Sequence, residues 1–118
     1  MRDAEQVPAN LQPYVDALGA EEAERFFLAL GGSDIYLPIK SSPRSLAART
    51  IGADRVEKLA DAMGAGYYKV PLARQWIARS MEARGASYAE IARTVRADVA
   101  TVRKWLGPRE THQQPQLF

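Results

Sequence analysis

The chain contains no cysteine and only one histidine, His112. The first absence excludes a disulfide framework and any thiolate metal site. The second leaves no imidazole cluster and no nucleophile–base–orienter set built on a structured histidine. No metal, cofactor or catalytic residue is therefore expected, and the protein reads as a non-enzyme. No apolar run among the 118 residues is long enough to cross a bilayer. The start, Met1-Arg2-Asp3-Ala4-Glu5-Gln6, lacks an apolar signal core, which makes the cytoplasm the expected compartment and a membrane partner unexpected. Gly64-Ala65-Gly66 precedes a strand-like segment rather than a helix, so it is not a phosphate loop.

What is present is a globular composition, 47% hydrophobic and 25% charged, with the charge unevenly placed. Residues 1–66 hold seven Lys/Arg against ten Asp/Glu, whereas residues 67–109 hold nine Lys/Arg against three acids. That asymmetry describes either a C-terminal half that faces a polyanion or a solvated basic surface.

An internal repeat organises the first two thirds. Residues 18–39 align without gaps on residues 51–72, an offset of 33. Gly19/Gly52, Ala20/Ala53, Glu24/Glu57, Ala29/Ala62, Gly31/Gly64 and Pro38/Pro71 are identical across the two copies. Each copy reads as a short helix (9–18; 43–51), a glycine, an amphipathic helix, a glycine turn and a short strand closed by proline. Ala23, Phe26, Phe27 and Leu30 mark the apolar face of the second helix in one copy; Val56, Leu59 and Met63 mark it in the other. The strands are 34–37 and 67–70, rich in aromatic and β-branched residues. A lone ribbon is marginal in water, so the two strands pair antiparallel with each other or with those of a second chain. Tyr36, Tyr67 and Tyr68 read as half-buried strand residues, with interface contact as the alternative.

Three helices follow from Pro71. The first, 72–84, runs from proline to Gly85 and turns Leu72, Trp76, Ile77 and Met81 to one side. The second opens with Ser87-Tyr88-Ala89-Glu90, a capping box, and buries Ile91, Ala92 and Val95. A turn at Arg96-Ala97 leads to Asp98, an N-cap for a helix over 99–106 that stops at Gly107-Pro108. Val99, Val102 and Leu106 fall on its inner side; Ala100, Thr101, Arg103 and Lys104 fall outward. A helix that enters the major groove needs short or polar side chains in its first turns, which makes those four the candidate base readers. Ser87, Tyr88, Arg93 and Arg96 lie where the preceding helix would cross the sugar-phosphate backbone. Trp76 and Trp105 sit at helical spacing with core residues and read as packing.

The segment Tyr88-Ala-Glu-Ile-Ala-Arg-Thr-Val-Arg-Ala-Asp-Val-Ala-Thr-Val-Arg-Lys-Trp-Leu106 resembles the helix-turn-helix of many phage and transposase regulators. Upstream, Leu30-Gly-Gly-Ser-Asp-Ile-Tyr-Leu-Pro38 resembles the strand signature of the Mor transcription activator family, the middle-operon regulators of Mu-like phages. The resemblance implies a dimerisation region of helices and strand, a helix-turn-helix, binding of double-stranded DNA at imperfect inverted repeats, and activation through host RNA polymerase. It places Ile35, Tyr36 and Leu37 in a dimer-type strand, joined by Tyr68 and Val70 from the second copy. It also lets Lys40 reach the DNA backbone, and it sets Ala100, Thr101, Arg103 and Lys104 on the recognition helix. Two features depart from the family: Arg96 stands at a turn position often filled by glycine, and the strand unit is duplicated, which leaves homodimer and internal pseudo-dimer both open.

The last five residues, Gln114-Pro115-Gln116-Leu117-Phe118, are similar to the short peptide by which bacterial proteins dock onto the DNA sliding clamp, with Gln114, Leu117 and Phe118 as its anchors. The sequence thus predicts a mainly α protein. A duplicated helix–helix–strand region over 1–70 forms a small two-stranded antiparallel ribbon, a tri-helical helix-turn-helix spans 71–109, and 110–118 is a tail. The expected function is sequence-specific transcription regulation of phage or prophage type, as an activator by resemblance. The alternatives are a sliding-clamp adaptor and a protein-interaction or inhibitor module that reuses the fold.

Overall fold

A computed structural model of the chain describes residues 6–40 and 44–107. Among them are seven helices and one two-stranded antiparallel sheet. The order is α1 Gln12–Leu18, α2 Ala20–Leu30, β1 Asp34–Leu37, α3 Leu46–Ile51, α4 Ala53–Met63, β2 Gly66–Lys69, α5 Arg74–Ala83, α6 Tyr88–Val95 and α7 Val99–Leu106. No helix among the described residues is long and apolar enough to cross a membrane. The chain divides into two compact units, one of Val7–Ala73 and one to which Gln6 and the residues from Arg74 onward belong; the sequence pattern alone places the boundary between the repeat and the C-terminal helices after residue 70.

The N-terminal unit is built from the repeat. Gly19 caps the end of α1 and the start of α2, and Gly52 does the same between α3 and α4, each with positive φ. Within the unit the copies exchange partners: α1 packs on α4 and α3 packs on α2, besides the contacts inside each copy. The strands pair with each other in the register Asp34↔Lys69, Ile35↔Tyr68, Tyr36↔Tyr67 and Leu37↔Gly66. The pairing alternative between chains is therefore met internally for these two strands. An aromatic cluster fills the centre: the Tyr14 ring stands edge-on to Phe27 at 5.1 Å and 5.9 Å from Phe26, all three buried. Leu37, Val56, Leu59 and Val70 complete the core. Burying a side chain of this size stabilises by about 1.5–3 kcal/mol. Burial pushes the Tyr14 phenol above the ordinary tyrosine range, and the nearby Tyr68 phenol adds to the shift.

Several boundaries differ from those the sequence pattern predicts. Helix α1 starts at Gln12 instead of residue 9, because residues 9–11 form a turn in which the Leu11 and Gln12 amides donate to Pro8 O, and Pro13 occupies the first helical turn. Helix α3 starts at Leu46 because the Ser45 hydroxyl takes the Ala48 amide and fixes the cap there. Strand β2 runs from Gly66 to Lys69, with Val70 bonded to Ser33 and Gly32 just past it. Helix α5 starts at Arg74 because Ala73 adopts φ 59°, which no helix accommodates. Leu72 is accordingly exposed instead of inward-facing.

In the second unit α5, α6 and α7 pack against one another. Trp76, Ile77, Ala78, Ile91, Ala92, Val95, Val102 and Leu106 are buried between them. The helix-turn-helix pattern of apolar residues thus closes a small core of its own.

Candidate nucleic-acid interface

The α6–α7 corner is set by three local devices. The Ser87 hydroxyl accepts the Glu90 amide at 3.1 Å, and Glu90 Oε1 accepts the Ser87 amide at 3.4 Å, which satisfies two otherwise unpaired donors at the start of α6. At the other end Arg96 takes a left-handed conformation, φ 61° and ψ 49°, and its amide and that of Ala97 close onto Ala92 O. Glycine usually fills such a position because it carries no Cβ penalty; here arginine bears a cost of about 1–2 kcal/mol. Asp98 then caps α7, its Oδ1 taking the Thr101 amide at 2.8 Å. The Thr101 hydroxyl, then the Thr101 amide, hold the Asp98 carboxyl below the usual carboxylate range, and Lys104 adds to the effect. The cap is therefore ionised throughout the neutral range and is released only in acid.

Helix α7 buries Val102 and Leu106, and Val99 and Trp105 are half-buried. Ala100, Arg103 and Lys104 are exposed on its other side. Thr101 is half-buried and its amide donates to Asp98, so its backbone is part of the cap. On α6 and its flanks Ser87, Arg93 and Arg96 are exposed, Ser87 at the cap, while Tyr88 turns inward. The Tyr88 ring is buried and its hydroxyl donates to Gly107 O at 2.7 Å, with Glu82 Oε2 at 3.3 Å. Tyr88 thus ties the start of α6 to the end of α7 from inside the unit and leaves the set of phosphate-facing residues.

No protein-family model, curated protein or solved structure matches the chain.

The remaining candidates lie in the N-terminal unit or beyond the described residues. Lys40 is exposed, just past β1. Ile35, Leu37 and Val70 are buried under the helices of their own unit, so they form its core and not a free interface. Tyr68 also turns inward, its hydroxyl shared between Met63 O at 2.6 Å and Gly64 O at 2.7 Å. Tyr36 remains outward, and its cross-strand partner is Tyr67, which sequence reasoning leaves outside that dimer-type set. The two rings lie 4.8 Å apart on the outer face, beside an exposed Lys69–Asp34 ion pair. The signal for Tyr67 lies in the register: in antiparallel pairing it shares a face with Tyr36, and Tyr68 cannot. Gln114, Leu117 and Phe118 lie outside the described residues.

Proposed function

We propose that the protein is a sequence-specific, double-stranded-DNA-binding transcription regulator of phage or prophage type. The observation that carries the reading is α7: a helix with a capped, polar start, anchored by Val102 and Leu106, with Ala100, Arg103 and Lys104 on its open side. Ala100 permits close approach and contact with a thymine methyl, while Arg103 and Lys104 carry the donors that guanine edges or phosphates accept. Ser87, Arg93 and Arg96 supply backbone contacts that fix register without reading sequence. A short helix capped at its start and held from one side only is what groove insertion requires, and the excess of cations after residue 67 supplies the attraction. The roles of activator and RNA-polymerase partner rest on the resemblance to Mor-type regulators.

The test is selection of bound duplexes from random DNA, followed by titration of the selected site at two salt concentrations. Arg103→Ala and Lys104→Ala are each expected to weaken specific binding by about 1–3 kcal/mol if they reach bases, and to flatten the salt dependence if they reach phosphates. Unchanged affinity in both variants sinks the groove assignment. A palindromic selected site indicates a dimer, and a single half-site indicates a monomer with its strand pairing satisfied internally.

A second reading is favoured by one motif alone, Gln114-Pro-Gln-Leu-Phe118: an adaptor that docks on the sliding clamp. Clamp capture by the full chain, abolished by removal of residues 114–118, supports it; equal capture by both forms removes it.

A further inference from the structure

The duplication supplies an internal control on surface charge. At the joint between its helices the first copy carries Asp16, Glu21 and Glu22; at the matching positions the second carries Arg49, Asp54 and Arg55. The backbone at the two joints is alike, with φ 83° and ψ 157° at Gly19 and φ 92° and ψ 148° at Gly52. Two corners of one shape therefore differ in sign at two of these three positions. Helix ends do not account for the reversal. Arg49 in the last turn of α3, and Arg55 Nη1 donating to Ile51 O at 3.4 Å, suit a helix C-terminus. Yet the first copy ends α1 with the acid Asp16, held by Gln12 Nε2 at 2.8 Å, and keeps the same geometry. The fold thus accepts either sign at this corner.

The charges also differ in how they are engaged. Glu22 is paired with Arg25 at 3.0 Å. Arg49 and Arg55 are exposed and make no ion pair among the described residues. The acids nearest in the chain are Asp54, exposed in the first turn of α4, and the half-buried Glu57. A further cation, Arg44, is exposed just before the Ser45 cap.

We infer that the α3–α4 corner of the N-terminal unit is a second polyanion-binding surface, in which Arg49 and Arg55 contact backbone phosphates of duplex DNA. The inference rests on the DNA-binding reading above and extends it to a unit that has no recognition helix. Guanidinium groups match phosphate oxygens in a two-pronged geometry and stay charged at any physiological pH. Phosphate contacts of this kind add affinity without sequence preference. A protein partner fits the corner less well, because Leu46 is the one large exposed apolar side chain described on α3 and α4, too little for an apolar anchor patch.

The experiment uses the full chain and its selected duplex, with affinity measured across a salt series. The double variant Arg49→Ala/Arg55→Ala is expected to reduce the slope of log K against log salt by roughly 0.9 for each phosphate that is no longer neutralised, with the selected sequence unchanged. The exchange variant Arg49→Asp/Arg55→Glu installs the residues that the first copy carries at its own joint, so it should fold, as circular dichroism can verify, and should lower affinity further. An unchanged slope in both variants, alongside weakened binding by Arg103→Ala or Lys104→Ala, overturns the corner and leaves the groove assignment standing. A flattened slope in the corner variants, with Arg103→Ala and Lys104→Ala inert, does the reverse. Failure of the parent chain to bind any duplex at low salt overturns both. Retention of the parent on immobilised polyglutamate, abolished in the variants with no change of slope on DNA, assigns the corner to an acidic protein and overturns the proposal.

Discussion

The two copies in the N-terminal unit share a plan and divide the work of filling it. Position for position, buried Tyr14, Phe26 and Phe27 in the first copy correspond to Ala47, Leu59 and Ala60 in the second. The pattern of burial is the same, while the volumes are not. One copy brings the rings and the other brings the small residues, which is how a close-packed interior can be built from two similar halves without a clash. Gly31 and Gly64 make the same point about backbone. They are identical in sequence, yet Gly31 has φ −54° and Gly64 φ 95°. Gly31 is required for space: a Cβ there would lie 2.5 Å from Phe27 O and 3.0 Å from Pro71 O. Gly64 is required for its dihedral, since the nearest atom to a Cβ would be the Tyr68 hydroxyl at 3.6 Å. A repeated residue thus need not repeat its reason.

Breaking the division of volume should have the largest effect. Phe27→Ala is expected to destabilise by about 3–5 kcal/mol in denaturant unfolding of the full chain. Ala60→Phe alone should cost about 1–3 kcal/mol by overpacking. If the two copies fill one shared interior, the double exchange costs less than the sum; strict additivity would show two independent sites. Next comes the glycine pair. Gly31→Ala should cost about 3 kcal/mol, because backbone atoms must move, and Gly64→Ala about 1–2 kcal/mol from strain. Equal costs would erase the distinction drawn between them.

The same logic extends to the second unit with a smaller effect of opposite sign. Arg96→Gly relieves a left-handed arginine and should raise stability by about 1 kcal/mol, read from hydrogen exchange in α6; under the proposed DNA-binding role it should also lower affinity for the selected duplex, because one cation is removed. The smallest effect is alkaline. The Tyr14 phenol has a folded pKa above its unfolded value, so the unfolded chain ionises first. The stability it contributes is intact below about pH 10 and is lost as pH rises through the folded value. Tyr14→Phe should remove that component, and its counterpart Ala47 has none; a wild-type alkaline slope in the variant would refute the assignment.

Much of this architecture was legible. The offset of 33 residues marks where helix, glycine, helix and strand recur, and β1, the Ser87 capping box and the Asp98 cap fall where the residues place them. The misplacements share one cause: a local signal had two readings and tertiary context chose. Pro71 reads equally as a strand stop or a helix start, and the positive φ of Ala73 settled it two residues later. An aromatic residue states no direction, so Tyr88 and Tyr68 were legible as aromatic but not as inward. On the candidate interface, Ala100, Arg103 and Lys104 follow from helical period alone, whereas the half-burial of Thr101 beside its cap depends on packing that no spacing encodes.

The exchanged packing of the copies has a consequence for dilution. Helix α1 rests on α4 and α3 on α2, so the apolar face of each copy is covered largely by the other. Were the copies separate polypeptides, mass action would govern their meeting, and scarcity would part them. Tethered in one chain, they encounter each other at an effective concentration on the order of millimolar, whatever the abundance of the molecule. The pairing of β1 with β2 is thereby made indifferent to expression level.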